Sequence, residues 1–240
     1  MVISFVWIQL LPRQLETDAD VGERRRSDGP LSLVVIDAGH GGQDSGAIRD
    51  GVLEKDLTLD VAQRLGQVLR ANGLKTIFTR PADEYISLAK RAADANEQRD
   101  CVFVSIHFDE GTRTAATGVN TYYAMRQRGK WPQLPSWLPF VQQVSAEPAN
   151  FESQSLAGFV QQALVARTRA VDRGTRSEQF YVIANVSHPA VLVEGGFLTN
   201  DDDMKKLRTE DYRQQLAQAI GDGIMHYREI MRQHVGRNDD

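Results

Sequence analysis

Four residues in this chain have types and positions that suit hydrolytic chemistry: His40, Glu54, His107 and Glu194. His40 lies in Asp37-Ala38-Gly39-His40-Gly41-Gly42, just after the apolar run Leu33 to Ile36. His107 directly follows Val102 to Ile106, and Glu194 directly follows Val191 to Val193. Glu54 opens an amphipathic stretch after the glycine loop. Two imidazoles and a carboxylate suit a catalytic zinc site, which takes three protein ligands and keeps a fourth position for water. That water reaches a pKa of about 7. A carboxylate outside the ligand set can then carry its proton to a leaving amine. The reading is one Zn2+ on His40, Glu54 and His107, with water as fourth ligand and Glu194 as acid/base. The donor set admits other divalent ions as well. Each residue also has a plainer role open to it. The histidines suit loop hydrogen bonding, Glu54 suits a helix N-terminus, and Glu194 suits a structural ion pair. The glycines around His40 lack the Gly-Lys-Ser/Thr ending of a phosphate loop.

The elements needed to bring these residues together are legible in the pattern. Leu33 to Ile36 reads as a buried strand opening into a tight loop. Leu57, Val61, Leu65, Val68 and Leu69 recur at helical spacing, and Gly73 stops that helix. A strand (Leu74 to Thr79), a helix (about Ser87 to Glu97) and a buried strand (Cys101 to Ile106) follow. Val119 to Ala124 reads as a strand and Leu156 to Ala170 as a helix. Strands are expected near Phe180 to Ile183 and Ala190 to Val193, and a helix from about Asp211 to His234. This alternation predicts an α/β fold: a single domain with a mostly parallel mixed sheet and helices on both faces. Ligands of such sheets bind outside the carboxyl ends of the strands, where the four residues fall. Residues 1–30 read as an apolar segment and polar linker, 31–235 as the catalytic domain and 236–240 as a tail. Within the domain, 126–154 breaks the rhythm with Trp131, Trp137, Pro132, Pro135, Pro139 and Pro148, and reads as an insertion.

Composition bounds the function. The chain has 240 residues, 41% hydrophobic and 25% charged, with a formal net charge of -4. That balance gives no basic surface for nucleic acid. The apolar start, Met1 to Leu11, falls short of the ~20 residues of a spanning helix, so no integral membrane span is expected. It reads as a truncated export signal, a membrane-proximal segment or a non-native start. The single cysteine, Cys101, forms no intrachain disulfide and reads as a buried thiol.

Taken together, the words around the four residues resemble the zinc-dependent N-acetylmuramoyl-L-alanine amidases, the cell-wall amidases with a type 3 catalytic domain. The matching words begin with Val35-Ile36-Asp37-Ala38-Gly39-His40-Gly41-Gly42 with Asp44, Gly46 and Ala47. Glu54-Lys55-Asp56, Thr79-Arg80 with Asp83, and Leu88 with Arg91, Ala95 and Asn96 follow. Then come Val104-Ser105-Ile106-His107, Gly118, Tyr122 and the run Pro189 to Asn200. The resemblance spans about residues 33 to 230. It implies an α/β fold around a mixed sheet, zinc on His40, Glu54 and His107, and Glu194 as catalytic acid/base. The implied reaction is hydrolysis of the amide between N-acetylmuramic acid and L-alanine in peptidoglycan, in the periplasm or outside the cell. In some relatives a helix inserted near 126–154 covers the zinc until a partner withdraws it. That makes the segment a candidate site for an activator protein, with Glu147 and Glu152 as candidate blocking groups. A glycan-binding loop or a packed surface loop is the plainer reading. The departure from the common pattern is Phe108-Asp109 after His107, and Phe108 is expected to narrow one wall of the site.

Two other functions stay open on sequence: a zinc peptidase or deacylase on another amide, and a catalytically silent wall-binding module. Arg80 and Arg91 are expected in structural ion pairs, or else on substrate carboxylates. Asn96 reads as a helix-end residue, and His188 as a residue near the site edge. His226 and His234 read as surface or packing residues. Trp131 and Trp137 suit either sugar stacking or loop packing.

Overall fold

A computed structural model describes residues 31–111, 114–127 and 150–237. The segment expected over 1–30, most of the 126–154 insertion (with Trp131, Trp137 and Glu147) and residues 238–240 lie outside the described residues. The first strand, β1 (Leu33–Ala38), is buried along its whole length. The glycine loop follows, then a small hairpin of β2 (Ile48–Arg49) and β3 (Val52–Leu53). Its turn, Asp50-Gly51, has φ of 48° and 76°, the geometry of a type I′ turn for which Asp-Gly is suited. Helix α1 (Glu54–Ala71) starts immediately after β3. Next come β4 (Lys75–Phe78), α2 (Leu88–Asn96), β5 (Cys101–Asp109) and β6 (Val119–Tyr123). The chain continues with α3 (Phe151–Thr168), β7 (Asp172–Ser177) and the single turn α4 (Tyr181–Ala184). It ends with β8 (Ala190–Phe197), α5 (Asp201–Leu207) and α6 (Glu210–Arg237).

The main sheet has six strands in the order β4-β1-β5-β8-β6-β7. Every neighbouring pair runs parallel except β8 with β6. This is the mixed, mostly parallel sheet expected from the alternating pattern. Side chains of a strand alternate between faces, and the two faces carry two separate cores. One core joins Val34, Ile36, Val104, Ile106, Val191 and Val193 to the inner faces of α1, α3 and α6. The other joins Val35, Phe103 and Leu192 to Ala92 and Ala95 of α2 and to Val182 and Ile183 of α4. Burying each such aliphatic side chain contributes about 1.5–3 kcal/mol. Helices therefore cover both faces, and the strand ends are left to the loops.

Two elements differ from expectation. Phe180 to Ile183 forms a helical turn rather than a strand, closed by Ala184 N–H to Phe180 O and Asn185 N–H to Tyr181 O. A four-residue apolar run fits a buried helix turn as well as a strand, and here the adjacent pair Val182 and Ile183 is buried together. The edge strand β7 was not anticipated, because its sequence Asp-Arg-Gly-Thr-Arg-Ser lacks apolar alternation. Charged residues on an edge strand blunt it against further pairing. Cys101 is buried and its thiol is pushed up to about 12 by burial. Among the described residues, no helix is long and apolar enough to cross a membrane.

Candidate metal centre

The fold gathers His40, Glu54 and His107 so that one ligand atom from each lies within 4.8 Å of the others. One carboxylate oxygen, Glu54 Oε1, is the hub. It stands 3.0 Å from His40 Nε2, 3.1 Å from His107 Nδ1 and accepts the Phe108 backbone N–H at 3.0 Å. The other oxygen, Oε2, accepts the Ala47 N–H at 3.0 Å. The imidazoles meet edge to face, with centroids 4.9 Å apart. The Glu54 side chain is 6% exposed and that of His40 22%, while that of His107 is 19% exposed. The cluster is therefore anchored on its carboxylate side and open on its imidazole side. This is a donor set and an aperture that fit a single divalent ion with room for a substrate.

Each of the three side chains is aimed by its surroundings. Asp44 holds His40 Nδ1, with both carboxylate oxygens at 3.0 Å, and is itself fixed by the Gly46 N–H. A carboxylate on one imidazole nitrogen sets the tautomer and leaves the other nitrogen for a metal. His40 adopts φ of 60°, a left-handed conformation costing roughly 1–2 kcal/mol for an L residue. Two buried arginines hold it there. Arg91 donates to Ala38 O and His40 O, each at 2.6 Å, and pairs with Asp37 at 2.7 Å. Arg80 donates to Ala38 O at 2.9 Å and Gly39 O at 2.8 Å, and also to Lys55 O and the Thr58 hydroxyl. Asp37 also accepts from the hydroxyls of Thr79 and Ser105, tying β1 to β4 and β5. Arg91 thus forms the structural ion pair expected of it, whereas Arg80 is held by carbonyls. A Cβ on Gly39 would stand 2.3 Å from His107 Cε1, so only glycine lets that ring lie over the loop.

Glu54 owes its place to the hairpin and to α1. Its N–H donates to Ala47 O at 2.9 Å, and with Asp56 it puts acidic side chains in the first turn, where the helix dipole favours them. The electrostatics are those of a compact charged cluster. Burial pushes Glu54 up, but bonds from His107 and His40 outweigh it and hold the carboxylate well below its usual range. Burial pushes His40 down, but Glu54 and Asp44 outweigh it and raise the imidazole.

Glu194 stands directly opposite His107 in the β5–β8 register. Its Oε2 is shut off from solvent without a hydrogen-bond partner among the described residues. Burial, then the negative charges of Glu54 and Asp109, raise its pKa well above the ordinary carboxylate value. A buried carboxyl oxygen without a partner among the described residues, beside the His40–Glu54–His107 group, marks Glu194 as a candidate proton-transfer residue. Asn96, at the end of α2, ties down the loop that leads into β8. Its amide donates to Asn185 O at 2.8 Å, and its Oδ1 accepts from the Ser187 backbone at 2.7 Å.

The structure corrects one detail and adds others. Phe108 does not narrow the site: it is 2% exposed and belongs to the core under the opposite face. Only its backbone N–H reaches Glu54. Asp44 was visible as a matching word but had no assigned role. Asp203, buried in the first turn of α5, accepts from the Thr117 hydroxyl and from the N–H groups of Gly118 and Phe197. Asn200 caps α5 by accepting the backbone N–H groups of Asp202 and Asp203. His226 packs on Phe159 with centroids 4.4 Å apart, as a packing residue. Glu152 lies in the first turn of α3.

An α/β sheet with two imidazoles and a carboxylate gathered at its strand ends defines a protein with a candidate mononuclear metal centre. The sequence model of the N-acetylmuramoyl-L-alanine amidase family matches residues 34–226. The chain belongs to that family, and with it to its enzymes. It is 36% identical over 194 residues to the protein YqiI of Bacillus subtilis (strain 168), covering 81% of this chain and 84% of that one. It is 30% identical over 228 residues to the N-acetylmuramoyl-L-alanine amidase AmiA of Escherichia coli (strain K12), covering 85% and 78%. The N-acetylmuramoyl-L-alanine amidase structure from Clostridium difficile 630 superposes with a TM-score of 0.70 at 34% identity, covering 82% and 97%.

Proposed function

We propose that the protein hydrolyses the amide joining the lactyl group of N-acetylmuramic acid to L-alanine in peptidoglycan, with one zinc ion on His40, Glu54 and His107. The observation carrying this reading is the convergence of those three side chains within 4.8 Å, with Glu194 in register beside His107, in a chain of the amidase family. Zinc, when bound, supplies Lewis-acid polarisation of the scissile carbonyl and acidifies water. The remaining work falls to the chain's own residues. Asp44 keeps the proton of His40 on Nδ1 and leaves Nε2 to the metal. Glu54 is held by the N–H groups of Ala47 and Phe108, so the third ligand stays put as charge develops. Glu194 accepts a proton from the attacking water. The hydroxyl bonds to the lactyl carbonyl carbon, the C–N bond breaks, and Glu194 returns the proton to the departing nitrogen of L-alanine.

The test is wild type and Glu194→Ala, each assayed for bound zinc and for stem-peptide release from purified peptidoglycan. Wild type should release peptides with free L-alanine amino ends, and the variant should keep zinc and lose turnover. Wild type that binds no metal would refute the zinc centre. Release of products from another amide would favour the peptidase or deacylase reading, and zinc binding without any release, by wild type and by the 128–150 deletion alike, would favour the silent wall-binding module. Action on the wall places the protein in the periplasm or outside the cell in this reading. An activator protein acting on 126–154 belongs to the same proposal, motivated by the aromatic and proline-rich sequence of that segment. Deleting residues 128–150 should then raise activity; unchanged or lost activity refutes that role.

A further inference from the structure

The strand register sets His107, Glu194 and Asn120 in one row across β5, β8 and β6. Asn120 is directly opposed to Glu194 in the antiparallel pair. Opposed residues in such a pair share a face, with Cβ atoms about 4.5–5.5 Å apart. Asn120 is 1% exposed, yet neither its Oδ1 nor its Nδ2 makes a hydrogen bond among the described residues. Glu194 Oε2 is in the same condition. The amide influences the Tyr122 phenol, opposing the upward push of burial on it, but falls short of a hydrogen bond of normal geometry. Buried polar atoms without partners are costly, and asparagine is disfavoured in strands. Packing alone would favour a β-branched residue here, as at Val119 and Thr121 on either side.

We propose that Asn120 is a positioning residue for Glu194: a turn of its side chain brings the amide onto Oε2 and leaves Oε1 for the reacting atoms. Its carboxamide carries both a donor and an acceptor, and a turn of the side chain presents either one to Oε2. The same partner therefore serves Glu194 with its proton or without it. Asn120 lies on the far side of Glu194 from the metal ligands in strand order, so it acts on the carboxylate without competing for the ion. This role rests on Glu194 as the acid/base.

The experiment compares wild type, Asn120→Val, Asn120→Ser, Glu194→Ala and the double variant Asn120→Val/Glu194→Ala, all zinc-loaded. Muropeptide hydrolysis gives kcat and KM, and thermal denaturation gives Tm. Asn120→Val should lower kcat by about 10–100-fold, the scale of a misplaced catalytic group, with KM and zinc content unchanged. Asn120→Ser, which keeps a donor and an acceptor, should recover part of that loss, and it carries the test if the valine variant does not fold. The Tm shifts of the single variants should fail to add in the double variant by at least about 2 °C. Wild-type kcat in both Asn120 variants, or additive Tm shifts, overturns the positioning role while leaving the amidase reading intact. Wild-type turnover in Glu194→Ala overturns the acid/base assignment and the positioning role with it.

Discussion

Gly46 lies where the glycine loop meets the His40–Glu54–His107 group, and Gly51 provides a matched control a few residues away. Both have positive φ, 63° and 76°, so an alanine at either site carries left-handed strain of about 1–2 kcal/mol. They differ in what the new methyl would meet. At Gly51 nothing lies within 4 Å, whereas at Gly46 a Cβ would stand 2.5 Å from Glu54 Oε2 and 2.7 Å from His40 Cδ2. Those separations are far inside ordinary contact of about 3.5–4.0 Å. Gly46→Ala must therefore displace two ligands and strain the Ala47 N–H bond to Glu54 Oε2. Disturbing the support of a metal ligand costs about 10–100-fold in affinity. With zinc at about 100 times Kd, binding raises stability by about 2.7 kcal/mol; a 100-fold weaker site at the same zinc retains about 0.4 kcal/mol. For a chain of this size that is a zinc-induced rise in Tm of about 5–10 °C falling to about 1 °C. The assay is thermal denaturation of wild type, Gly46→Ala and Gly51→Ala with and without zinc, with Kd from chelator competition. Gly51→Ala should lose stability but keep the full zinc response. Equal zinc responses in the two variants would refute the placement of Gly46 against the ligands.

Three further outcomes are expected. Asp44→Asn should weaken zinc binding by about 10-fold or more, because an amide holds the His40 tautomer less firmly than the carboxylate at 3.0 Å; chelator competition measures it, and an unchanged Kd would remove Asp44 from the site. Asp60 links α1 to α6 through Arg213 and pairs with Arg64 on α1; burial opposes, but the two arginines hold its pKa below the usual value. Asp60→Asn should cost about 1 kcal/mol at neutral pH after allowing for its partial exposure. A depressed folded pKa means that stability is present above the unfolded pKa of 3.8 and lost as pH falls through the folded one. The gap between wild type and variant, read from denaturant curves, should therefore close below about pH 4; a gap that persists at pH 2 would sink the assignment. Cys101, with its thiol raised to about 12 by burial, should resist thiol reagents at pH 8 in the native protein and react on unfolding. Fast native labelling would contradict its place in the core.

The candidate site residues His40, Glu54, His107 and Glu194 stood out in the sequence because each sits next to a feature that local physics writes plainly. His40 follows a buried apolar run, and His107 and Glu194 continue one within β5 and β8; in a mostly parallel sheet the carboxyl ends of such runs converge. Glu54 follows a glycine loop and opens a helix whose periodicity is unambiguous. What stayed hidden depends on pairings across the chain. No local pattern tells that Arg91 reaches back to Ala38 O and His40 O, or that Asn120 falls opposite Glu194. Strand β7 was missed for a related reason: as an exposed edge it carries no apolar alternation, and only its partner β6 makes it a strand. Phe108 shows the opposite error. Its position beside His107 suggested a wall of the site, but adjacent strand residues face opposite ways, so a ligand at 107 sends 108 into the core. The same parity carries information that a motif search discards. Counting from His107 through Glu194 to Asn120 needs only strand order and register, and it turns an unremarkable strand residue into the neighbour of Glu194.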